Sequence, residues 1–206
     1  MNKALQDLPA ARDRLLQAAA DLLIARETIE ISLAEIATQS GLNTALVKYY
    51  FGSKAGLLRA LLQRDAGDAL TQMHELQHLP LPSVKKLRLH LRGIMNVYRR
   101  APYLNRLLGT LMAESQGAAL QDLHQTFVRP VLDCQRSLLE QGAKTGEFRE
   151  VDPILFYLAA IGACDQFLLS ERMYRLSTGQ TPEPDFSSKT MAFVEDMVMA
   201  SLTPTS

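Results

Sequence analysis

Apolar residues recur along this chain at helical spacing, and punctuation residues cut it into helix-sized pieces. Leu15, Ala19, Leu22 and Leu23 fall three or four apart, so 11–25 reads as a first amphipathic helix. Ser32-Leu-Ala-Glu35 has the capping-box pattern: the serine hydroxyl accepts from an orphan N–H while the glutamate reaches back to the cap's own amide. It predicts a short helix over 33–40, stopped by a left-handed Gly41. Asn43 predicts the cap of a helix reaching about residue 50. Gly52-Ser53 resets the chain, and Ser53 opens a longer helix to about His78. There Pro80-Leu-Pro82 breaks it, since proline lacks the N–H and clashes with the preceding turn.

Beyond the break, Ser83 predicts the cap of a helix over 84–100, and Pro102 separates it from one ending near Ser115. A helix over 118–143 follows, with a kink expected at Pro130. Asp152-Pro153 joins a cap to a first-turn proline, opening a helix to about Leu176. Gly179, Pro182 and Pro184 mark a loop before a last amphipathic helix over 186–202. No segment alternates with the period of a strand. The expected fold is all-α with about nine helices, divided into 1–55 and 56–206.

At 206 residues, 47% apolar and 21% charged, the chain has ordinary globular composition. Cys134 and Cys164 rule out a disulfide framework and suit a reducing compartment. Charged residues Asp7, Arg12, Asp13 and Arg14 interrupt any secretory signal, and the apolar stretch from Ile154 to Cys164 stops at Asp165, short of the ~20 residues a bilayer needs. The expectation is a cytoplasmic protein with no membrane partner.

Net charge is zero, yet two windows contain no acid. Residues 36–64 carry Lys48, Lys54, Arg59 and Arg64; residues 76–113 carry Lys85, Lys86, Arg88, Arg92, Arg99, Arg100 and Arg106. The first window encloses a helix-turn-helix pattern. Ala37 sits where two helices cross closely, Gly41 in the turn, and Ile36, Leu42 and Val47 toward the core. Thr44, Ala45, Lys48 and Tyr49 remain on the outward face of the second helix, which fits the ~12 Å major groove. An acid-free surface is what a polyanion requires. A helical hairpin packed only for stability would show the same pattern.

The string T-A-L-V-K-Y-Y-F-G-S-K-A-G-L-L, Thr44 to Leu58, resembles the TetR family of bacterial transcriptional regulators, whose recognition helix ends in aromatics followed by Ser-Lys. Gly146-Glu-Phe-Arg-Glu-Val-Asp-Pro153 resembles the family's approach to its penultimate helix. The resemblance implies a ligand-responsive, dimeric repressor that binds a palindromic operator in double-stranded DNA. It implies that Thr44 and Ala45 approach base edges, Tyr49 meets the backbone, and Lys54 and Ser32 lie against phosphates. Lys48 departs from an often aromatic position and is assigned to a guanine edge or a phosphate. Arg26-Glu-Thr-Ile departs where a glycine usually ends the first helix.

The resemblance also implies a homodimer through 152–176 and 186–202, with Met191, Phe193, Val194, Met197, Val198 and Leu202 as packing residues. An intramolecular core stripe has the same periodicity. It implies a pocket for a small-molecule effector, with Met95, Tyr98, Leu107, Leu111, Phe127, Cys164 and Phe167 as candidate lining residues that equally suit an ordinary core. The basic window at 76–113 would suit an anionic effector such as an acyl thioester, and solvated helix faces explain it as well. No cofactor is expected.

One rival is chemical. His74-Glu-Leu-Gln-His78 matches H-E-x-x-H, which places two imidazoles on one helical face for zinc with Glu75 as general base. That pattern would make a metallopeptidase, but the prolines end the helix and no sheet is predicted to wall a cleft. A third reading is a helical small-molecule binder that has lost DNA binding; Lys48, Tyr49 and Lys54 speak against it.

Overall fold

In the computed structural model of this chain, residues 3–204 are described, with side chains from Ala10 onward. Every regular element among them is helical, and nine continuous helices follow one another: α1 (Lys3–Arg26), α2 (Leu33–Ser40), α3 (Thr44–Phe51), α4 (Lys54–His78), α5 (Ser83–Arg100), α6 (Leu104–Glu114), α7 (117–145), α8 (Pro153–Thr178) and α9 (Phe186–Ala200). α1 begins well before the periodic apolar residues, because Ala4, Leu5, Gln6 and Leu8 favour helix by propensity. Ahead of Pro130, α7 widens into a π turn over His124–Val128. Pro130 has no N–H for the carbonyl of Thr126 and would crowd it, so the wider turn absorbs the misfit. α8 continues through Asp165 to Thr178, tightening into a 3₁₀ turn at Phe167–Leu169. By length and composition alone it could cross a membrane. The apolar run expected to stop at Asp165 belongs to a longer helix that simply passes through that residue.

The chain forms two compact units. The first holds residues up to Gly67 together with 101–120; the second holds 68–100 and everything from Gln121. The first unit therefore extends past residue 55 and takes in α6. It buries Leu15, Leu16 and Leu23 of α1, Ile36 of α2, Val47 of α3, Leu57 and Leu61 of α4, and Leu107 of α6. The Arg14 guanidinium donates to the Ser40 carbonyl at 2.6 Å, tying α1 to the end of α2. Arg64 holds Asp65 through two hydrogen bonds, and the buried Tyr103 hydroxyl donates to the same carboxylate. Desolvation and that carboxylate raise the Tyr103 phenol well above its ordinary range.

Glu27, in the segment where the resemblance leads one to expect a glycine, takes φ +50°. An L-residue pays roughly 1–2 kcal/mol for that conformation. Its carbonyl accepts from Arg106 at 2.7 Å, a backbone contact that glycine would keep. Glu27→Gly is therefore expected to be about 1 kcal/mol more stable than Glu27→Ala, which removes the same side chain but keeps the positive φ penalty, read as a higher thermal midpoint in circular dichroism.

In the second unit, Leu87, Leu91 and Met95 of α5 join Cys134 and Leu138 of α7, Phe156, Ala160 and Cys164 of α8, and Val194 and Val198 of α9 in one core. Much of the basic window is absorbed by internal pairing. Lys86 is buried and donates to the Gln77 carbonyl at 2.8 Å and to Gln141 at 3.0 Å. Arg88 and Arg92 both hold the buried carboxylate of Glu195, and Arg88 also holds Asp196. Those guanidiniums keep Glu195 ionised against its desolvation.

His90 lies in the same interior, 3.2 Å from the Gln135 amide nitrogen and 3.7 Å from the Cys134 sulfur. Burial pushes His90 down from 6.5 to about 4 and each cysteine thiol up to about 12. Cys134 and Cys164 are thus unreactive fillers. The unfolded chain protonates His90 below about pH 6.5 while the folded chain does not. Stability is therefore complete above that pH and falls as pH drops toward 4, by roughly 3 kcal/mol over the interval. Urea midpoints of the native chain are expected to fall more steeply between pH 7 and 4.5 than those of His90→Gln, whose side chain carries no such proton.

Candidate nucleic-acid interface

The helix-turn-helix is built from local signals. Ser32 accepts from the Glu35 amide at 3.2 Å, and the Glu35 carboxylate accepts from the Ser32 amide at 2.7 Å, completing the capping box of α2. Arg26 pairs with the same carboxylate. The Arg26 hydrogen bond, with those from Ser32, holds the Glu35 carboxyl down at about 2. α2 ends at Gly41, φ +66°, whose amide satisfies the carbonyl of Thr38. Asn43 caps α3, its side chain accepting from the Ala45 amide at 2.9 Å. Ile36, Ala37 and Val47 are buried, and Leu42 is half-buried between the helices.

That packing leaves Thr44, Ala45, Lys48 and Tyr49 exposed on one face of α3, at i, i+3 and i+4 spacing. Tyr49 is 71% exposed, far more than an aromatic in a finished core, and its ring meets the edge of Tyr50 at 5.0 Å. Ser32 is exposed at the cap of α2, while Lys54 is half-buried as the first residue of α4. The two line a single groove.

Sequence reasoning gives Gly56 no role of its own. A side chain there would sit 2.0 Å from the Phe51 carbonyl oxygen, so only glycine lets the end of α3 lie against the start of α4. The available signal is a glycine in the first turn of a strongly apolar helix. Arg12, over the face of Phe51 at 5.3 Å, is also missed. Nothing local marks that pair.

The other predicted residues divide. Met95, Cys164 and Phe167 belong to the second unit's core with Tyr98 packed against it, and Phe127 is buried in that unit. Leu107 and Leu111 are buried in the first unit. In α9, Val194 and Val198, with Leu202 just beyond, are core, whereas Phe193 and Met197 are 69% and 49% exposed. On α8, Leu155, Leu158, Leu169, Met173 and Leu176 are exposed along one stripe. The rings of His74 and His78 stand 5.2 Å apart on exposed positions at the end of α4. Among the described residues no third His, Cys, Asp or Glu completes a metal-binding group with them.

Residues 15–61 match the profile of the bacterial regulatory proteins of the tetR family, and residues 80–203 match that of the tetracyclin repressor-like C-terminal domain. The chain belongs to the TetR family. A nucleoid occlusion factor, SlmA from Aliivibrio fischeri, is 24% identical over 174 residues, 81% of this chain and 88% of that protein. The transcriptional regulator FadR of Bacillus subtilis, solved with stearoyl-CoA, superposes with a TM-score of 0.67 at 17% identity, covering 92% of this chain and 98% of that one. PfmR of Thermus thermophilus gives 0.66 at 18% identity over 93% and 100%. This TetR-family chain is thus a transcriptional regulator with an N-terminal helix-turn-helix, and the zinc peptidase reading has no support.

Proposed function

We propose that this TetR-family regulator binds a palindromic operator as a homodimer in the bacterial cytoplasm, acts as a repressor, and is released by a small molecule. The observation that carries the DNA reading is the solvent-facing quartet Thr44, Ala45, Lys48 and Tyr49 on a capped eight-residue helix. Thr44 and Ala45, in its first turn, would meet base edges. Lys48 and Tyr49, one turn on, would meet a guanine edge or the backbone, while Ser32 and Lys54 would meet phosphates. One such helix reads too few bases for genomic specificity, and a two-fold pair spaced by whole turns of DNA, ~34–36 Å each, supplies the rest.

The dimer reading rests on α8 and α9. Leu155, Leu158, Leu169 and Met173 with Phe193 and Met197 form apolar surface that a folded monomer would leave in water. Pairing through 152–176 and 186–202 would cover it. Effector binding is assigned to the second unit, at Met95, Tyr98, Phe127, Cys164 and Phe167, and the FadR structure similar in fold was solved in complex with stearoyl-CoA. Leu107 and Leu111 are left to the first unit's core.

The test contrasts two substitutions. Lys54→Ala is expected to weaken all duplexes alike and to lower the salt slope by about 2 per dimer, since each phosphate contact contributes ~0.9. Thr44→Ala is expected to relax preference at one or two symmetry-related positions and leave the slope alone. Binding titrations over a salt series with operator and scrambled duplexes separate them. A changed base preference in Lys54→Ala, or none in Thr44→Ala, would overturn the assigned roles.

A further inference from the structure

The groove beside Ser32 and Lys54 has a volume of about 730 Å³, within the range of small-molecule sites, and lies wholly in the first unit. Its floor is apolar: Ile31 from the connection before α2, Leu58 from α4, and Leu107 and Leu111 from α6. The charged groups of the lining are three carboxylates and one lysine. Glu35 is already committed to Arg26 and Ser32. Glu30, in the connection before α2, and Glu114, the last residue of α6, are both exposed and take part in no ion pair among the described residues. An apolar floor under two unpaired carboxylates complements a positive charge on an apolar tail and repels an anionic one. The only base in the lining, Lys54, is the residue assigned to a DNA phosphate.

We propose that this groove binds a small monocationic amphiphile, with Glu30 and Glu114 at the charged head and Ile31, Leu58, Leu107 and Leu111 along the tail. Because Ser32 and Lys54 share the lining, occupancy competes directly with duplex DNA; this second part rests on the DNA contacts proposed above. The site differs from the effector site assigned to the second unit, and it acts on the phosphate contacts themselves.

The probe is octyltrimethylammonium, titrated calorimetrically into the full chain below its micellar range. Saturable binding of one per chain is expected, weakened at least tenfold in the folded double variant Glu30→Gln/Glu114→Gln. Tetramethylammonium, which lacks the tail, and octyl sulfate, which reverses the charge, are expected not to saturate. Absence of saturable binding, equal binding by the variant, or octyl sulfate binding as tightly would overturn the site. At fixed ionic strength the probe is expected to reduce duplex affinity of the native chain and not of the variant. Groove binding with duplex affinity unmoved would overturn the competition and the placing of Ser32 and Lys54 on phosphates, while leaving the groove in place. A chain that binds no duplex even without the probe fails the regulator reading alone, because the calorimetry decides the groove without DNA.

Discussion

Phe193→Glu is expected to yield a folded monomer that no longer holds a palindromic duplex. Phe193 is 69% exposed in the single chain and lies outside the buried core, so the fold should survive. At a two-fold interface the same position is buried twice, once in each copy. Burying an unpaired carboxylate costs at least about 2 kcal/mol, and the symmetry doubles it. The dimer dissociation constant should therefore rise at least a thousandfold, a change worth about 4 kcal/mol. Sedimentation equilibrium at micromolar protein would show the monomer, with circular dichroism unchanged. A half-site contact alone gives weak, salt-sensitive binding. Leu158→Glu, in the exposed stripe of α8, should do the same. If both variants remain dimeric, α8 and α9 are not the interface.

Gly56→Ala is expected to have the opposite signature: an intact dimer with a damaged DNA head. A methyl group there meets the Phe51 carbonyl oxygen at 2.0 Å and its carbon at 3.1 Å, both backbone atoms in the last turn of α3. Backbone gives way only by moving the helix. Overpacking of this kind costs on the order of 3 kcal/mol and displaces α3 relative to Lys54. Duplex affinity should fall at least tenfold while sedimentation still reports a dimer. A first, low-temperature unfolding step confined to the N-terminal unit should appear in thermal melts. Native-like melting and binding would mean that α3 and α4 do not meet as closely as described.

These two variants separate what local sequence carries from what it cannot. The boundaries of α2 and α3 are readable because their determinants sit within four residues: Ser32 with Glu35, Gly41, and Asn43 with Ala45. The outward face of α3 follows from the burial of Ile36, Ala37 and Val47. The end of α1 is harder. Arg26-Glu-Thr-Ile offers no glycine, and the chain turns there all the same by forcing Glu27 to positive φ, with Arg106 of α6 holding its carbonyl.

Distant pairings are not legible. The seven bases of 76–113 invite an anionic ligand, yet Lys86, Arg88, Arg92 and Arg106 have partners inside the protein, supplied by residues as far away as Glu195 and Asp196. Periodicity also cannot sort α9. It marks Val194, Val198, Phe193 and Met197 as apolar alike, and only the packing of α9 on α5 and α8 decides that the first two are core. The candidate effector residues suffer the same way, because Leu107 and Leu111 belong to a helix that packs in the first unit rather than the second.

Two copies of this chain are expected to read DNA through Thr44, Ala45, Lys48 and Tyr49. Selection from a random duplex library at near-physiological salt, with sequencing of the retained fraction, decides whether they do. The expected result is an enriched inverted repeat whose half-sites are centred one or more helical turns apart. Retained sequences indistinguishable from the input, or a single unpaired half-site, would contradict it.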